Sequence, residues 1–155
     1  MDLTMIPGIS VLLALIIISE IAADMNRWGS SKRFASWLGV CPGLEVSGGK
    51  IISGASRKVN TTASQAFHMA AMGVRRSDNA FGEFYRRMKF KGGPRKALTA
   101  TVHKIARAVF AMLKYGAYYV MESAKEMAKR NRERKESWLS KEAAKLGKTL
   151  VSKAE

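Results

Sequence analysis

The stretch EVSGGKIISGASRK, Glu45 to Lys58, concentrates the residues that could do chemistry. Ser47 stands directly before Gly48, Gly49 and Lys50, and Ser53, Ser56, Arg57 and Lys58 follow. A serine hydroxyl attacks a phosphodiester when one group takes its proton and another stabilises the developing charge. Glycines beside that serine let a nucleic-acid backbone come close, and Lys50 can neutralise a phosphate. Ser56, Arg57 and Lys58 suit phosphate contacts, which donate to oxygens without reading sequence. The chain offers no Ser-His-Asp arrangement, and the run fails the phosphate-loop pattern G-x-x-x-x-G-K-[ST]. Taken alone, SGGK is a turn as readily as a site.

The surrounding charge gives this stretch a context. The chain has 155 residues, with 27 Lys and Arg against 12 Asp and Glu, a net charge of +15. The excess is concentrated. Residues 1–40 are neutral, residues 41–120 carry fourteen bases and three acids, and residues 121–155 carry ten bases and six acids. Such a field attracts a polyanion, nucleic acid first and a membrane surface second; solubility alone is the plainer reading. The single cysteine, Cys41, excludes an internal disulfide and makes a reducing cytoplasm the default. Cys41, His68 and His103 are too isolated to suggest a metal site. The uncharged run Leu3–Ser19 is broken by Pro7-Gly8 and lacks a basic leader, so it reads as neither membrane span nor signal peptide.

The elements that must position the serine segment read as helices. One domain with a modest core is expected, softened by nine methionines. Ser10 caps an apolar helix reaching about Ala23, apolar nearly all round and so expected at the centre. Ser30 or Ser31 caps a second, SKRFASWLGV, with Phe34, Trp37 and Leu38 on one stripe and Pro42-Gly43 as its stop. Val46 and Ile51-Ile52 allow a short hairpin around Ser47–Lys50. Asn60 or Thr61 caps a helix over 61–76, with Ala66, Phe67, Ala70, Ala71 and Val74 on its apolar face. A further helix over 78–91 turns in Phe81, Phe84, Tyr85 and Met88, and Gly92-Gly93 stops it. Pro94 then opens a helix over 95–119, with Leu98, Val102, Ile105, Val109 and Met112 alternating by four and three. The tail, 121–155, is charged and helix-favouring, with Leu139, Ala143, Leu146 and Leu150 in register and Gly147 interrupting.

Three further groups belong to the candidate chemistry. IPGIS, Ile6–Ser10, resembles the hairpin of a helix-hairpin-helix motif, where Gly8 would let backbone N–H groups reach a phosphate. The motif's usual second glycine is Ser10 here. FYRRMKFKGGPRK, Phe84–Lys96, interleaves aromatics with Arg86, Arg87, Lys89, Lys91, Arg95 and Lys96. Lys96, His103, Arg107 and Lys114 fall on one row, because offsets of 7, 11 and 18 return to nearly the same angle at 3.6 residues per turn. That row suits a phosphate track, or an ordinary solvated face.

In order and spacing these elements resemble the C-terminal domain of the bridge-RNA-guided insertion-sequence transposases, relatives of the Piv-type DNA invertases. The resemblance covers nearly the whole chain and is carried by MIPGIS, LLALIIISEIAAD, FASWLGVCP, SGGK, GASRK and FYRRMKFKGGPRKALTATVHKIARAVFAMLK. It implies an all-α fold with a helix-hairpin-helix-like start, a serine-loop domain over 1–120 and a basic helical tail over 121–155. It implies that GVCPGLEVSGGK places Ser47 at the nucleophile's position, forming a phosphoserine link to DNA. It also implies a RuvC-like N-terminal domain with four acidic residues holding Mg2+. These 155 residues do not contain that domain, so the chain reads as truncated, catalytically silent alone and without a cofactor of its own. DNA, a guide RNA and a second copy of the full-length protein are the partners implied. Departing from the family, KVNTTASQAF stands where K-x-G-N-x-x-L-R is common.

The candidate site is therefore Ser47 as nucleophile, with phosphate contacts from Gly8, Gly48, Gly49, Lys50, Ser56, Arg57, Lys58, Arg86, Arg87, Lys96, Lys104 and Arg107. Two rivals remain: a non-catalytic nucleic-acid-binding module or transposase remnant, and a small basic protein of the membrane surface.

Overall fold

The structure is a computed structural model that describes residues 2–21, 25–41, 45–53, 59–116, 124–149 and 151. It is an all-α fold carrying one two-stranded hairpin. In chain order come α1 (Val11–Ile21), α2 (Ser31–Trp37), β1 (Glu45–Ser47), β2 (Lys50–Ser53), α3 (Thr62–Val74), α4 (Ala80–Tyr115) and α5 (Ala124–Lys145). Short 3-10 turns, Leu3–Met5 and Met25–Arg27, precede α1 and α2.

Local chemistry sets the helix starts. Ser10, Ser30 and Thr61 each accept a backbone N–H from the first turn of α1, α2 and α3, and Asn79 accepts two at the start of α4. These bonds satisfy donors that a helix leaves unpaired.

The core forms where α3 lies against α1 and α4, with α2 on α4. The inner stripe of α3 is rich in alanine: Ala63, Ala66, Ala70 and Ala71 are buried beside Phe67 and Val74. Small side chains let its neighbours approach closely. An aromatic cluster fills the space above. Phe34 lies 5.0 Å from Trp28 and about 6 Å from Trp37, Phe67 and Phe110, ring centre to ring centre. Burying each such ring contributes about 1.5–3 kcal/mol.

Several expectations change. α1 is not wrapped on all sides: Leu13, Ala14, Ile17 and Ile21 are buried, while Val11, Leu12, Leu15 and Ile18 are exposed. Its apolar composition marks burial without saying which face finds a partner. α2 stops before Pro42-Gly43, because Gly39 takes a positive φ and the Val40 N–H closes back on the Ala35 carbonyl at 3.1 Å. The two helices expected over 78–91 and 95–119 are the halves of α4, broken where Gly93 leaves helical geometry before Pro94. The second half ends earlier than expected, at Tyr115, capped by Gly116. In the tail stripe Leu139 on α5 and Leu146 just after it are exposed, Ala143 is half-buried, and Leu150 lies outside the described residues.

Candidate nucleic-acid interface

The serine segment is held at both ends. It leaves α2 and re-enters at α3, and the buried Ser64 hydroxyl donates to the Leu38 carbonyl at 2.9 Å. The Glu20 carboxylate of α1 accepts the Ala63 N–H and caps α3. Between these ties the chain runs out as the expected hairpin, with Val46 opposite Ile51 and Ser47 opposite Lys50.

Gly48 and Gly49 form its two-residue turn, with φ of 56° and 76°. Both values are positive, the geometry whose twist suits a tight hairpin and which side chains resist. A side chain on either glycine would meet nothing within 4 Å. Ser47 and Lys50 thus flank an open, side-chain-free tip, and all four residues are exposed. Opposed strand residues share a face, with Cβ atoms ~4.5–5.5 Å apart. Lys50 is therefore on the same face of the hairpin as Ser47. Ser56, Arg57 and Lys58 lie outside the described residues.

The Gly8 turn is different. Its φ is 93°, and a Cβ there would stand 2.5 Å from the Ala70 carbonyl oxygen and 2.6 Å from a Val74 methyl. Gly8 is a packing glycine, set against α3.

Of the basic side chains, Lys96 and Arg107 are exposed, while His103 and Lys104 are half-buried. The Lys104 ammonium lies over the rings of Phe84 and Phe81, at 4.9 and 5.4 Å. Lys114, the end of the expected row, turns its ammonium to the carbonyls of Trp28 and Gly29, at 3.4 and 3.5 Å. Arg86 donates to the Ser77 carbonyl at 3.1 Å. Arg87 donates to Asn131 at 2.7 Å, and Asn131 reaches Glu83, so this arginine docks α5 on α4. The basic run thus divides between internal fastening and free charge.

An open cleft of about 510 Å³ lies between the start of α2 and the second half of α4. Ser30, Ser31, Lys104, Arg107, Phe110 and Tyr115 line it. Hydroxyls, cations and an exposed phenol ring together suit a phosphate with a base or sugar beside it. Sequence reading had Lys104 and Arg107 but missed Tyr115 and placed the serines only as caps. Nothing local signals that residues so far apart meet. Burial lowers the His103 pKa, and the neighbouring Arg107 cation adds to that.

The carboxylates have other work. Asp2 accepts from the Thr4 hydroxyl and N–H, which hold its carboxyl below the usual range. Glu20 caps α3, and Asp24 lies outside the described residues. Among the described residues no three His, Cys, Asp or Glu side chains stand together where they could hold a metal ion. Nor, among those residues, is any helix long and apolar enough to cross a membrane.

The model of one protein family, described as the IS116/IS110/IS902 transposase family, matches residues 2–86. That match runs from the Gly8 turn through the hairpin and into the first half of α4. No curated protein matches, and no solved structure does.

Proposed function

Because the chain belongs to the IS116/IS110/IS902 family of transposases, we propose that it is the serine-loop part of a DNA-cutting and DNA-joining enzyme, with Ser47 as the nucleophile. The observation that carries this reading is the hairpin tip. Among the described residues, which are otherwise mostly helical, an exposed serine and an exposed lysine flank two glycines that leave room for a phosphodiester backbone.

In the proposed step the Ser47 hydroxyl loses its proton and its oxygen bonds to phosphorus. The bond from phosphorus to the 3′ oxygen breaks, and that oxygen leaves as a 3′-hydroxyl after taking up a proton. DNA is then held through a phosphoserine, which a 3′-hydroxyl from another strand later attacks, restoring the serine. Lys50, opposite Ser47, offsets charge on the phosphate oxygens in the transition state. The Arg107 cleft and Lys96 hold flanking phosphates. Among the described residues the carboxylates do not gather into a metal centre, and the step above is written without one. A metal-binding domain and a guide RNA belong to this reading as partners, and residues 1–155 alone are expected to be silent in strand transfer.

Trapping the adduct tests this. A full transposase carrying this chain, incubated with its DNA substrate, should yield a denaturant-stable protein–DNA link that maps to Ser47. Ser47→Ala should abolish it and Ser53→Ala should not. Strand transfer that survives Ser47→Ala would sink the assignment.

The Arg107 cleft favours a second reading, a module that binds nucleic acid without chemistry. It predicts no adduct and an affinity whose logarithm falls by about 0.9 per phosphate contacted for each tenfold rise in salt.

A further inference from the structure

We propose that the elbow of α4 is a single-strand contact, in which the Phe90 ring stacks on an unpaired DNA base while Lys89, Lys91, Arg95 and Lys96 hold the flanking phosphates. The choice of DNA rests on the reading above, in which cleavage frees a strand whose 3′-hydroxyl attacks later. The stacking rests on the elbow alone. Phe90 is 94 % exposed, a large ring left almost wholly in solvent. A lone exposed apolar residue is ordinary, but the setting of this one is not. Lys89 and Lys91 flank it, Arg86 and Arg87 lie one turn back on the helix, and Arg95 and Lys96 follow the break. Lys89, Lys91, Arg95 and Lys96 are exposed, and among the described residues none of the four pairs with a carboxylate. No Asp or Glu occurs from Phe84 to Met121. The break keeps these cations near the ring. Gly93 leaves helical geometry with a φ of 81°, and a side chain there would meet nothing within 4 Å. The Lys96 stem folds back over Gly92, 3.2 Å from where a Cβ would stand.

The chemistry of the elbow selects its occupant. Apolar docking of a protein needs a contiguous patch, and the neighbours of this ring in the chain and on the helix are cations. A helix lying on a membrane surface needs an apolar face along its length. α4 turns that face inward, with Phe81, Tyr85 and Ala97 buried. A nucleic-acid strand offers both kinds of partner at every nucleotide, a phosphate for a cation and a π-face for a ring. In a continuous duplex those faces are already stacked on one another. The ring therefore requires an unpaired base or a step that opens to admit it, and a single strand supplies the first without that cost.

Fluorescence anisotropy of a labelled thymidine dodecamer with the purified chain tests this. Phe90→Ala should weaken binding about 5- to 10-fold, the lower end of what a lost base–aromatic stack removes. The helical circular dichroism should stay intact, because the ring is exposed. Binding of the matching duplex should be nearly unaffected. Phe90→Trp should retain the affinity, whereas Phe90→Leu, apolar but without a π-face, should behave like Phe90→Ala. Leu12→Ser, which removes an exposed apolar side chain from α1, should change nothing. A readout free of substitutions comes from iododeoxyuridine placed in the strand: irradiation should cross-link it to Phe90. Full binding by Phe90→Ala or Phe90→Leu, or equal losses on strand and duplex, would overturn the stacking. A loss seen only with phosphatidylglycerol vesicles would give the ring to a membrane and overturn it too. A loss confined to a uridine dodecamer would overturn the choice of DNA. The nucleophile stands or falls separately. A Ser47 adduct beside an indifferent Phe90→Ala would sink the elbow alone, and a strand-specific loss without any adduct would sink Ser47 alone.

Discussion

Two glycine turns look alike in the sequence and do opposite work. Gly8 sits in IPGIS and Gly48-Gly49 in SGGK; both turns have positive φ, and at both a glycine was expected to let a phosphate come close. Around Gly8 the space for a side chain is already taken by the Ala70 carbonyl and Val74. Around Gly48 and Gly49 it is empty. The first turn spends its glycine on the fold. The second leaves its space to solvent or to a ligand, which is what a site at a loop tip requires.

The sharpest way to break this contrast is Gly8→Ala. The new methyl would overlap a backbone oxygen that α3 cannot move cheaply, and the residue would keep an unfavourable φ. A loss of about 3 kcal/mol is expected, a drop of ~6–12 °C in melting temperature at ~2–4 °C per kcal/mol. Calorimetry checks it. If Gly8→Ala melts with the unaltered protein, the α1–α3 packing described above is wrong.

Gly49→Ala should behave otherwise. It meets no clash and carries only the cost of a left-handed residue, ~1–2 kcal/mol, confined to the hairpin. The melting temperature should stay nearly constant while the cross-strand signature of Val46 and Ile51 weakens in nuclear magnetic resonance spectra. A large fall in melting temperature would mean that the hairpin belongs to the core.

Arg87→Ala sharpens a second contrast, between bases that fasten and bases that stay free. Arg87 holds Asn131 and stacks on Phe84 at 5.5 Å. Its loss should cost about 1 kcal/mol and free α5, raising protease cleavage between α4 and α5. Arg107→Gln should leave stability unchanged and lower the salt slope of DNA binding by about one phosphate.

What the sequence disclosed, and what it hid, follows one physical line. Features set within four residues were readable: the cap Ser10, the caps of α2 and α3 to within one residue, the hairpin around Gly48-Gly49, the break at Gly93 before Pro94. Apolar stripes on α3 and α4 were readable too, because periodicity is local. Contacts between distant residues were not. Nothing near Glu20 says that it caps α3, and nothing near Arg87 says that it meets Asn131. Whether α1 is covered on all sides is a property of its neighbours. The hairpin around Ser47–Lys50 was legible, and its register pairs Ser47 with Lys50.

His103 gives the smallest effect and the most specific one. Its side chain is half-buried on the same helix row as Arg107, and both burial and that cation depress its pKa below the usual 6.5. Sign follows from proton counting. As pH falls below 6.5 the unfolded chain takes up this proton before the folded one does, so the folded state loses stability between 6.5 and the lower folded pKa. A phosphate held by Arg107 reverses the local field. It screens the guanidinium and favours the imidazolium, so DNA binding should raise the His103 pKa and be accompanied by proton uptake. Titration of the His103 ring resonance, free and with duplex DNA, measures this directly. The midpoint should lie below 6.5 in the free chain and climb on adding DNA. A midpoint that ignores DNA would place the phosphate track away from this row, leaving the hairpin tip as the main point of contact.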